Sequence, residues 1–170
     1  MNFILEGCDG VGKSTLAEII ASHIGADVVH LTRHSPCDVK SCMTRIVSAV
    51  PYVMDRSYIS ELIYSEIFNR ECALSKEDVK DITYNISLHK VLEVILVCEE
   101  NELLRRLKVR NNEGPDIMNN IIHIQDAYIN YAQENGILMI NVTGKSPEEL
   151  ADQIINIYEE NYKENENETD

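Results

Sequence analysis

A three-layer α/β fold, a five-stranded parallel sheet with helices on both faces, is predicted from three observations. Short apolar runs alternate along the whole chain with segments of helical period. One of those runs, residues 92–98 (LEVILVC), is an almost continuous aliphatic stretch, as expected of a strand buried on both faces. No internal repeat or interdomain linker interrupts the 170 residues, a length suited to one domain with its own core. Strands separated by helices imply crossovers, and crossovers imply a parallel sheet covered on both sides.

Taken in order, residues 2–6 form a short apolar strand that ends at Gly7, and helical period over 13–24 stops at Gly25. Residues 27–31 are a β-branched run, followed by a polar loop at 33–38. A helix over 39–49 ends before Pro51, a third strand covers 52–55, and a helix follows at 58–69. Ser75-Lys76-Glu77-Asp78 has the form of a capping box and opens a helix to about His89. After the 92–98 strand come a helix at 101–110, a break at Asn111-Asn112-Glu113-Gly114-Pro115 and a long helix at 116–134. The last strand spans 137–142. Ser146 then caps a final helix with Pro147 in its first turn.

Composition removes several classes. Hydrophobic residues make up 44% of the chain, too many for a disordered protein. No apolar run reaches the roughly 18 residues of a spanning helix. The start, Met1-Asn2-Phe3-Ile4-Leu5, has no signal-peptide pattern, so a cytoplasmic protein without a membrane partner is expected. A net charge of −14 argues against a polynucleotide partner, which needs a basic face. It leaves mononucleotides open, because local arginines and a metal ion can hold a triphosphate. Residues 161–170 read as an acidic, flexible tail after a domain at 1–160. The five scattered cysteines show no zinc-like spacing and are expected to be reduced thiols, Cys37 and Cys42 being the nearest pair. The histidines show no ligand-like spacing, and only His34 falls in a suspected site loop.

The strongest signal is Gly7-Cys8-Asp9-Gly10-Val11-Gly12-Lys13-Ser14-Thr15, a complete G-x-x-x-x-G-K-[ST] placed between a strand and a helix. Glycines let successive backbone N–H groups turn inward toward phosphate oxygens, and the following helix adds its positive end. Lys13 can reach β- and γ-phosphates, and the Ser14 hydroxyl can ligate Mg²⁺. The motif makes the expected fold the P-loop NTPase type, with residues 7–15 binding ATP. No N-K-x-D segment for guanine follows, and the chain is too short for the modules of a motor. A small-molecule kinase is left as the leading class.

Glu6-Gly7-Cys8-Asp9-Gly10-Val11-Gly12-Lys13-Ser14-Thr15 resembles the E-G-x-D-G-x-G-K-[ST]-T opening of thymidylate kinases. Asp55-Arg56-Ser57-Tyr58-Ile59-Ser60-Glu61-Leu62-Ile63-Tyr64 resembles their D-R-x-x-x-S-x-x-A-Y, and Thr32-Arg33-His34-Ser35-Pro36 a degraded T-R-E-P-G. The resemblance implies ATP-dependent phosphorylation of a deoxynucleoside monophosphate with Mg²⁺. Arg56 and Arg33 would contact the acceptor phosphate, Asp9 would face the acceptor sugar or the metal region, and Asp55 would order the metal's water shell. Tyr64 would be a substrate contact or a core residue. Residues 106–116 resemble the short arginine-bearing lid of nucleotide kinases. Val11 carries no charge, so Arg106 and Arg110, one helical turn apart, are the candidates to stabilise the transferring group. Arg105 fits better as a complement to the helix's carboxyl end. Fold analogy sets 143–145 near the adenine, and Tyr128 and Tyr131 are expected to pack in the core.

Departures from the family fall on the acceptor side: the interval between Thr15 and Asp55 is short, Ser65 replaces a glutamine and His34 a glutamate. Asp55-Arg56-Ser57-Tyr58-Ile59-Ser60 also resembles the E-R-S-x-x-S of deoxynucleoside kinases. Such an enzyme needs a general base for a 5′-hydroxyl, whereas Arg33 after the second strand suits an acceptor that already carries phosphate. A nucleotide-binding regulatory protein without turnover is the remaining alternative. The oligomeric state stays open, a homodimer included.

Overall fold

The computed structural model describes residues 1–32, 39–111 and 113–162. Strands β1 (Asn2–Glu6), β2 (Asp27–His30), β3 (Tyr52–Asp55), β4 (Val91–Val97) and β5 (Leu138–Asn141) alternate with helices. The helices are α1 (Lys13–Ile24), α2 (Val39–Ile46), α3 (Tyr58–Ile67), α4 (Lys76–Leu88), α5 (Glu100–Arg110), α6 (Pro115–Asn135) and α7 (Pro147–Tyr162). The expected five-stranded sheet forms in the order β2-β3-β1-β4-β5, and every pairing is parallel.

Strand alternation sorts the side chains of β1 between the two helical layers. Phe3 points to one face, where its ring lies 5.0 Å from that of Tyr158 on α7. Glu6 points to the other, where the Tyr128 hydroxyl of α6 donates to it at 3.0 Å. Helices α1 and α7 pack on the first face, and α3 and α6 pack together on the second. Phe3, Ile4, Leu5, Val53, Val94 and Ile95 are buried along the centre of the sheet, which explains the aliphatic density of β1 and β4.

Local signals set the boundaries. Ser75 and Asp78 form the expected reciprocal capping box on α4, and Ser146 and Glu149 make the same exchange at the start of α7. Helix α2 stops at Ile46, earlier than predicted. The Ser48 hydroxyl takes the Val50 N–H at 3.2 Å and starts the turn into Pro51. Among the described cysteines, Cys8, Cys72 and Cys98 are free, whereas Cys42 is disulfide-bonded, contrary to the expectation of a reduced thiol. Sequence spacing carries no information on the approach of β-carbons that a disulfide requires. Among the described residues, no helix is long and apolar enough to cross a membrane.

Candidate active site

Because β1 lies between β3 and β4, the chain leaves β1 at the point where the strand order reverses, which opens a crevice above the carboxyl ends of β1 and β3. Residues 9–12 line its floor, and Gly7 and Cys8 lead into them from β1. Gly7 has φ +137°, and a β-carbon there would stand 2.4 Å from the Leu96 carbonyl oxygen on β4. Gly10 has φ +86°, and its β-carbon would meet the Leu107 side chain of α5 at 2.8 Å. Only glycine permits both the left-handed backbone and these approaches.

Lys13 is buried and donates to the Gly7 and Cys8 carbonyls, each at 2.8 Å. Its ammonium thereby folds back onto the loop. Burial, reinforced by the nearby Arg56 cation, lowers its pKa to about 8. The Ser14 hydroxyl donates to Asp55 Oδ2 at 2.6 Å. His30 sits opposite Asp55 in the β2–β3 register, and its Nδ1 lies 3.0 Å from the same oxygen. Asp55 Oδ1 is buried and has no hydrogen-bond partner. Few buried polar atoms are left so.

Arg56 follows β3 with φ +76°, the left-handed region. Its backbone N–H donates to the Leu5 carbonyl at 2.9 Å. The guanidinium pairs with Asp9 Oδ1, donates to Ser60 Oγ at 3.3 Å, and lies 5.1 Å from the Tyr64 ring centroid. Tyr64 donates its hydroxyl to Asp9 Oδ2 at 2.6 Å. Burial alone would raise the Asp9 carboxyl, but Arg56, Lys13 and the Tyr64 hydroxyl outweigh it and hold the carboxyl below its ordinary range. Burial likewise opposes the charge on Arg56, yet Tyr64, Tyr128, Asp9 and Glu6 hold it firmly protonated.

From α5, Arg106 reaches across the loop: NH1 donates to the Val11 carbonyl at 3.3 Å while Nε donates to Glu102 at 2.9 Å. Arg105 is exposed and bound in a fork to Glu102 in the first turn of α5, not to the carboxyl end of the helix as expected, because an acid three residues back is within reach of its guanidinium. A cavity of about 710 Å³ runs from Lys13, Ser14 and Asp55 past Arg56 to Arg106, Arg110 and Lys145. It has room for a nucleotide polyphosphate, and its wall carries cations at several points rather than one.

The structure thus gathers Asp9, Gly10, Val11, Gly12, Lys13, Ser14, Thr15, Asp55, Arg56, Arg106 and Arg110 around one cavity. Gly7, Cys8 and Tyr64 are absent from its lining. Tyr64 reaches the site through Asp9. Arg33 and His34 lie outside the described residues, as does most of the acidic tail. Three participants escaped the sequence reading. His30 requires knowledge of the β2–β3 register. Gln125, buried on α6, accepts the Cys98 N–H at 2.9 Å and faces the Cys8 thiol, steadying the loop from behind. Glu6 was legible as a motif letter but not as a hydrogen-bond acceptor for the start of α3. Tyr128 is buried as expected, yet its hydroxyl enters the same cluster.

No family model matches the chain. It is 24% identical over 182 residues to a probable thymidylate kinase of Methanococcus vannielii, spanning 89% of this chain and 91% of that one. Among solved structures it is similar to the YorR protein of Bacillus subtilis in complex with phosphorylated GDP. The TM-score is 0.80 at 21% identity, over 94% of this chain and 96% of the other. The thymidylate kinase of Candida albicans matches with a TM-score of 0.63 at 15% identity, over 94% and 91% of the two chains. The chain therefore has the P-loop kinase fold and resembles thymidylate kinases in sequence over most of its length.

Proposed function

We propose that this chain is a phosphotransferase that moves the γ-phosphoryl group of ATP to a deoxynucleoside monophosphate, with residues 1–160 as the kinase domain and 106–116 as its lid. The observation that carries this reading is the position of Arg56. A permanent cation stands at the end of β3, on the wall of the cavity that Lys13 and the loop amides line, and a loop carboxylate, Asp9, holds it. Such a group suits an acceptor that brings its own phosphate, which needs positioning against a second anion more than it needs a base.

The loop amides of 7–15 and Lys13 would hold the donor's phosphates, Lys13 releasing its two carbonyl contacts as it does so. Ser14 and Asp55 would hold Mg²⁺ and its waters. The unpartnered, buried Asp55 Oδ1 beside the Ser14 hydroxyl is the kind of oxygen such an ion uses, since magnesium takes few protein ligands and keeps several waters. When bound, the ion would neutralise charge on the β- and γ-oxygens. Arg106 and Arg110 would spread positive charge over the transferring group. Arg56 would align the acceptor phosphate, with Tyr64 and Asp9 setting its direction.

One observation favours a second reading, transfer to a nucleoside 5′-hydroxyl. His30 lies on the cavity wall against Asp55, an imidazole oriented by a carboxylate as a general base would be. A coupled ADP-release assay with ATP and Mg²⁺ across the nucleosides and their monophosphates separates the two. Turnover with a monophosphate supports the first reading; turnover with nucleosides alone rejects it. ATP binding with no turnover on any acceptor points to a regulatory nucleotide-binding protein.

A further inference from the structure

We infer that Glu6 is a positioning residue that holds Arg56 in its phosphate-facing conformation, an inference that rests on the acceptor role just proposed for Arg56. Glu6 closes β1 and is fully buried. A buried carboxylate is costly unless donors surround it. Oε1 accepts the Ser57 N–H at 2.6 Å, the Ser57 hydroxyl at 2.8 Å and the Ser60 N–H at 3.2 Å. Oε2 accepts the Ser60 hydroxyl at 2.7 Å and the Tyr128 hydroxyl at 3.0 Å. Every one of these donors is neutral. The compensating positive field comes from the amino end of α3 and from Arg56 itself.

Ser57 stands at the N-cap of α3 but makes no side-chain cap bond. Its hydroxyl turns to Glu6 instead, so a carboxylate from another strand does the capping. The consequence falls on the preceding residue. Arg56 is a non-glycine residue at φ +76°, a strained conformation that persists only where its surroundings over-determine it. On one side its N–H is tied to Leu5; on the other Ser57 is tied to Glu6 by both N–H and hydroxyl. The Ser60 hydroxyl has one hydrogen, given to Glu6, and its lone pair receives Arg56 NH1. Glu6 therefore reaches the guanidinium both through the backbone turn and through one serine.

The test is Glu6→Gln, nearly the same shape but with an amide N–H₂ facing donors. Steady-state kinetics with ATP and the monophosphate acceptor should show kcat/KM for the acceptor falling about 10²-fold, with the KM for ATP within about two-fold of wild type. The double variant Glu6→Gln/Arg56→Ala should be no slower than Arg56→Ala alone, because one effect runs through the other. Losses that multiply would overturn the assignment. If Glu6→Gln does not fold, Tyr128→Phe removes one Glu6 contact without touching the Arg56 hydrogen bonds, and the same non-additivity with Arg56→Ala is required of it. A crystal structure of the Glu6→Gln or Tyr128→Phe protein without ligand supplies a readout independent of any acceptor. Arg56 should leave the left-handed region and release Asp9; an unchanged Arg56 rejects the proposal. Should the wild type phosphorylate no monophosphate, the acceptor reading falls, and this crystallographic result alone decides the role of Glu6.

Discussion

Ser14 and Asp55 meet across the crevice, the hydroxyl on Asp55 Oδ2 at 2.6 Å and the other carboxylate oxygen buried without a partner. An unsatisfied buried acceptor costs about 1–3 kcal/mol, so something should repay it in the working state. If that is a hydrated Mg²⁺, Asp55→Asn raises the Mg²⁺ concentration for half-maximal turnover by roughly 10-fold or more. A magnesium titration at saturating ATP measures it. An unchanged midpoint would remove Asp55 from the metal's surroundings.

Lys13 reports on donor binding through its protonation. In the free protein burial and Arg56 bring its pKa to about 8. Arriving phosphates add negative charge and raise it again, so binding takes up protons wherever the free protein has lost them. Calorimetry with Mg²⁺-loaded ATP in buffers of different ionisation enthalpy should show uptake of up to about three-quarters of a proton at about pH 8.5, and little at about pH 6.5. Uptake that does not rise with pH would contradict a Lys13 ammonium weakened by burial and by Arg56.

Arg105 and Arg106 are neighbours with opposite expectations. Arg106 reaches the Val11 carbonyl over the loop, whereas Arg105 is spent on Glu102 at the surface. Arg106→Ala should lower kcat by about 10³-fold, the scale of a transition-state arginine. Arg105→Ala should stay within about two-fold. Equal losses would mean that the pair acts only by keeping α5 intact.

Gly10 couples the loop to the lid helix. A β-carbon there would overlap the Leu107 side chain at 2.8 Å and hold a strained φ of +86°. Gly10→Ala should therefore destabilise the protein by roughly 1–3 kcal/mol. It should weaken ATP binding as well, because Leu107 lies one residue beyond Arg106 on α5. Thermal melts with and without nucleotide test both parts. A melt unchanged from wild type would show that Leu107 yields freely.

Much of the molecule was legible beforehand because its signals are local. Strand alternation, the capping box at Ser75, the glycine and proline stops and the loop at 7–15 all act within a few residues, and the observed elements follow them closely. Where a tertiary contact intervened, the reading slipped. Helix α2 ends at Ile46 as the chain turns toward β3. His30 looked unremarkable because its neighbour Asp55 is brought to it only by the pairing of β2 with β3.

The order of amino acids alone determined that this chain makes a parallel α/β sheet with a phosphate loop, since periodicity and backbone freedom are properties of short segments. The folded sheet decided what surrounds that loop. Register and strand alternation send Asp55 to the α1 side with Ser14 and His30, and Glu6 to the α3 and α6 side with Ser57, Ser60 and Tyr128. Those partners lie far apart along the chain, and a hydrogen bond between them depends on distances that no local pattern encodes.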